Sequence, residues 1–72
     1  MAMLIFDAVG SDAVPLAEKA SDATGVPVGI DPDLGSATFD SDEHDEDGLQ
    51  RAITEALAAI DPNWQDHLQV AG

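Results

Sequence analysis

The chain of 72 residues contains no cysteine. Disulfide staples, thiolate zinc sites, iron–sulfur ligation and cysteine nucleophiles are therefore excluded together. It has only two basic residues, Lys19 and Arg51. With so few cations, counterion release from a phosphate backbone has almost nothing to drive it, and nucleic acid is not an expected partner. Aromatic side chains are equally scarce: Phe6, Phe39 and Trp64, with no tyrosine. The N-terminal apolar run, residues 3–6, ends at Asp7. That is too short for a signal-peptide core or a membrane span, so no membrane association is expected. No G-x-S-x-G elbow surrounds Ser11, Ser21, Ser36 or Ser41, and no glycine-rich phosphate loop precedes Lys19. A chain of this size also has little room for a catalytic cleft. The expectation is a single domain over residues 1–72 that is not an enzyme and carries no cofactor.

What the chain does have is acid. Fifteen Asp and Glu give a formal charge of −13 and a sequence pI of about 4.1. Such a balance suggests disorder when apolar residues are few, yet 44% of this chain is hydrophobic and periodically placed. A folded acidic domain is the better reading. Its self-repulsion is largely screened in molar salt, where the Debye length falls to about 3 Å. One lysine, many aspartates, abundant alanine and few bulky aromatics give a composition that resembles proteins of salt-in halophilic archaea. The resemblance spans the whole chain and identifies no family. It implies a high-salt cytoplasm, or a particle assembled inside such a cell, as the location.

Periodicity gives an element order. Residues 3–9 read as a strand in which Asp7 sets the phase: Leu4, Phe6 and Ala8 inward, Met3, Ile5 and Val9 outward. Residues 11–25 carry helix punctuation, with Ser11 or Asp12 as cap, Pro15 in the first turn as the expected start, and Gly25 just past the end. Leu16, Ala20 and Ala23 form its apolar stripe. Residues 26–30 alternate Val26, Val28 and Ile30 against Pro27 and Gly29, and Pro27 marks an edge strand on which further pairing is disfavoured. A turn-forming stretch at 31–35 leads into a strand at 36–40 with Ala37 and Phe39 inward. The clearest segment is residues 49–60, where Leu49, Ile53, Ala56, Leu57 and Ile60 line one face of a helix. Asp47 is its expected N-cap with Gln50 as capping-box partner, and Pro62 stops it. Residues 64–71 read as a last strand with Leu68 and Val70 inward. The order is βαββαβ, the split βαβ arrangement of a ferredoxin-like α+β two-layer sandwich. It implies a four-stranded antiparallel sheet with the first and third strands central and two helices on one face.

Candidate sites are few. Residues 40–47, DSDEHDED, hold six carboxylates, but an EF-hand count from Asp40 puts Asp45 where glycine is needed and Arg51 where glutamate is needed. A looser cation site would draw on Asp40, Asp42 and Asp45; a solvated loop whose end favours the positive N-terminus of the following helix is the preferred reading. His44 sits among these carboxylates. Asp66 and His67, adjacent in the expected strand, would point to opposite faces and not cooperate. Trp64 either closes the core or anchors a partner. The sandwich leaves one sheet face bare, displaying Met3, Ile5 and Val9, an apolar surface on a highly charged protein. The expected function is an interaction or assembly module that associates with itself or a protein partner through that face, within an oligomer or a larger assembly such as a virus particle. The alternative is a dimeric regulatory domain binding a small ligand near residues 10–13 and 31–35; a third is a divalent-cation loop at 40–47.

Overall fold

Alternation around Asp7 produces the first strand, β1 (Ala2–Ala8), with Ala2, Leu4 and Phe6 buried, Ala8 half-buried, and Met3, Ile5 and Asp7 exposed. The computed structural model, which describes residues 2–10 and 12–71, continues with α1 (Ala13–Thr24), β2 (Val28–Asp31), β3 (Ser36–Ser41), α2 (Glu46–Ile60), a 3-10 turn (Trp64–Asp66) and β4 (Leu68–Val70). All strand pairs are antiparallel, in the order β2-β3-β1-β4. The first and third strands are central and both helices pack on one face. The fold is the ferredoxin-like α+β sandwich.

Several local details depart from the sequence expectations. Helix α1 starts at Ala13, two residues before Pro15. A proline within the first turn removes only an N–H that has no intrahelical acceptor, so the helix begins ahead of it. Asp12 is the N-cap residue but makes no side-chain cap bond, and Ser11 lies outside the described residues. The buried stripe of α1 is Ala13, Leu16, Ala17 and Ala20, while Ala23 is exposed. The i, i+3, i+4, i+7 spacing is kept with its phase turned toward Ala17. Gly25, at φ +75, closes the helix in the left-handed conformation with its N–H on the Ser21 carbonyl at 2.8 Å.

In α2 the cap is Asp45, not Asp47. Its Oδ1 accepts the Gly48 N–H at 2.7 Å, so Glu46 and Asp47 form the first turn, where carboxylates complement the helix dipole. Gln50 therefore stands a full turn inside and is no capping-box partner. Leu49, Ile53 and Leu57 are buried and Ala56 and Ile60 half-buried along the expected stripe. The helix ends at Ile60, ahead of Pro62.

The last strand is shorter than expected, because Trp64, Gln65 and Asp66 coil into the 3-10 turn, with the His67 N–H on the Trp64 carbonyl at 3.0 Å. Val70 pairs with Phe6 on the helix-covered side of the sheet but stays exposed at its edge. The second strand also starts later than expected, at Val28; Val26 is buried ahead of it. Its edge position is as expected. The hairpin turn that follows is held by Asp31 Oδ1, which accepts from the Asp33 and Leu34 N–H groups at 3.1 and 3.2 Å.

The core centres on Phe6. Its ring meets Phe39 edge-on at 5.7 Å and Trp64 edge-on at 6.1 Å, arrangements favoured by the ring quadrupoles. Leu49, Ile53, Leu57 and Leu68 complete the fully buried set of large side chains. Each contributes about 1.5–3 kcal/mol on burial.

Candidate interaction surface

The register of the sheet places the bare face residue by residue. Ile5 on β1 lies beside Thr38 of β3, which lies beside Gly29 of β2. Met3 is paired with Asp40. At the other end Asp7 is flanked by Ser36 on one side and Gln69 on the other, with Asp31 beyond Ser36. The face therefore has an apolar centre, Met3 56% and Ile5 40% exposed, set between Asp40 at one end and Asp7 and Asp31 at the other. Val9, one residue past the strand, is exposed and donates its N–H to the His67 carbonyl at 2.7 Å.

Trp64 sits elsewhere. It is 9% exposed, its ring against Phe6 on the helix side of the sheet. Leu34, at the tip of the β2–β3 turn, is 78% exposed and was not anticipated. Its signal in the sequence is an apolar residue inside a turn-forming run that no neighbouring strand covers.

The acidic run divides into three parts. Asp40 is an exposed residue of β3, Asp42 lies in the bend after it, and Asp45 is occupied as the helix cap. Among the described residues, no group of three or more His, Asp or Glu is placed to hold a metal ion. Ser41, which is buried, organises the bend: its Oγ accepts the Glu43 and His44 N–H groups, each at 3.2 Å, and lies 2.7 Å from His44 Nδ1.

His67 caps the 3-10 turn instead of standing on a strand, so the expected opposition of Asp66 and His67 across a sheet does not arise. It is half-buried in a shallow cleft with Lys19, Asp12, Asp61 and Ile60. His44 lines a second cleft at the other end of the molecule, with Asp40, Asp42 and Glu43. None of the carboxylates beside either imidazole is buried. No helix among the described residues is long and apolar enough to cross a membrane.

Comparison of the chain with protein-family models, with curated proteins and with solved structures finds no match.

Proposed function

We propose that this chain is a non-enzymatic interaction module that associates through its bare sheet face, with a second copy or with another protein, in a high-salt cytoplasm or a particle assembled there. One observation carries the reading: Met3 and Ile5 are exposed side by side on a central strand, on the one face of the sheet that no helix covers. Apolar side chains on a surface otherwise rich in carboxylates mark a contact site. In a domain near the lower size limit for independent folding, an associated partner also adds stability. The acidic ends of the face keep it soluble when free and orient what packs on its centre.

Light scattering and sedimentation in molar KCl test this reading. The wild-type chain should show a mass above that of the monomer, rising with protein concentration. Ile5→Glu, at an exposed position whose side chain leaves the core untouched, should lower that mass while circular dichroism stays unchanged. A monodisperse wild-type monomer whose behaviour Ile5→Glu does not alter would rule out self-association through the face.

A further inference from the structure

We propose that the free edge of β2 pairs with the β2 edge of a second copy, joining two sheets into one of eight strands. The inference is independent of the bare-face reading, since edge pairing leaves Met3 and Ile5 of both copies uncovered. The geometry begins with the inner side of β2. The Asp40 N–H donates to the Pro27 carbonyl at 3.2 Å, and Gly29 and Asp31 stand opposite Thr38 and Ser36. In an antiparallel ladder alternate residues direct their backbone groups to the same side. Positions 27, 29 and 31 therefore face β3, and the N–H and C=O groups of Val28 and Ile30 point away from the sheet. Among the described residues, no hydrogen bond takes them up. The N–H that Pro27 lacks would have pointed at β3. The proline thus does not guard the outer edge, contrary to what its presence suggests in the sequence.

The outer edge is self-complementary about Gly29. A two-fold axis there sets Val28 opposite the partner's Ile30 and Ile30 opposite the partner's Val28, and the four outward N–H groups meet four outward carbonyls. Both side chains are half-buried against the core, and β-branched cross-strand pairs of this kind favour pairing. The two glycines become a non-hydrogen-bonded pair with their Cα atoms about 4.5 Å apart. Charge selects the occupant. In a chain of formal charge −13 residues 26–30 carry none, and Asp31 falls opposite the partner's Pro27, so no carboxylate faces another across the ladder. A basic partner would have nothing to recognise at this edge; an identical copy has all it needs.

Gly29 supplies the test. A Cβ built there meets nothing within 4 Å and its φ is not positive, so the monomer accepts a side chain. Gly29→Glu places two carboxylates together across the axis. In molar KCl it should lower the wild-type mass with unchanged circular dichroism, and combined with Ile5→Glu it should leave a monomer. Gly29→Cys introduces the chain's only thiol, at a Cα separation within the roughly 4.4–6.8 Å usual for disulfides. Under mild oxidation most of it should cross-link as dimer, where Glu55→Cys on the exposed side of α2 does not. Amide exchange at Val28 and Ile30 should slow as wild-type concentration rises. A monomeric wild type, a wild-type mass that Gly29→Glu leaves unchanged, or cross-linking no greater than that of Glu55→Cys would each overturn the proposal. Loss of the dimer on Ile5→Glu but not on Gly29→Glu would assign self-association to the bare face instead.

Discussion

Asp45 decides where α2 begins, through one charge-assisted hydrogen bond to Gly48 at 2.7 Å. Five acidic residues, Asp42, Glu43, Asp45, Glu46 and Asp47, lie within a few positions of that boundary, and only one of them carries the cap. Asp45→Ala should cost about 1 kcal/mol, the usual value of a side-chain cap. Asp47→Ala removes only a dipole interaction of roughly 0.3–1 kcal/mol that salt screens, and in molar KCl its effect should vanish. Chemical denaturation of the two variants checks the assignment; equal losses would mean that Asp45 is not the cap. The sequence led to Asp47 because Gln50 completes a capping box with it on paper. What it cannot display is that Ser41 and His44 fold the preceding bend tightly enough to start the helix earlier.

At the scale of elements, legibility follows contrast. In β1 a single aspartate among apolar residues fixed which side chains face in, and the bare-face pair Met3 and Ile5 followed from it. In α2 the spacing of Leu49, Ile53 and Leu57 allowed one phase only. In α1 the apolar residues are mostly alanines, and stripes through Ala17 or through Ala23 fit the spacing equally well. Packing against α2 and the sheet, a tertiary matter, makes the choice. Ala17→Leu should therefore overpack a fully buried position and destabilise by about 1–3 kcal/mol, whereas Ala23→Leu on the exposed side should stay within about 0.5 kcal/mol. Thermal melts of both variants read the phase directly, and the opposite ranking would reverse it. The last strand failed for a related reason. Trp64 to His67 holds one apolar residue followed by three polar ones, with no alternation to separate a strand from a 3-10 turn. At the outer edge of β2 the sequence showed a proline but not which way its missing donor would have pointed.

Across the whole molecule the governing quantity is charge per unit size. None of the fifteen acidic side chains is buried, and all but Asp31 and Asp61 are exposed. The Cα radius of gyration is 10.8 Å, close to the Debye length of about 10 Å at 0.1 M salt. At that ionic strength each carboxylate senses much of the molecule, and the repulsion is greater in the folded state than in an expanded chain, so folding is opposed. At molar salt the Debye length of about 3 Å confines each charge to its nearest neighbours, and the penalty largely disappears. Helical circular dichroism and the thermal midpoint should therefore fall as KCl is lowered. Salt also strengthens apolar burial by exclusion from the surface, and a charge-reduced variant separates the two causes. Asp40→Asn, Asp42→Asn and Glu43→Gln together neutralise three exposed carboxylates that form no side-chain hydrogen bond among the described residues. If screening is the cause, this variant should hold its structure to lower KCl while matching the wild type at molar KCl. An unchanged salt midpoint would assign the dependence to apolar burial, and full wild-type structure in salt-free buffer would remove the dependence altogether.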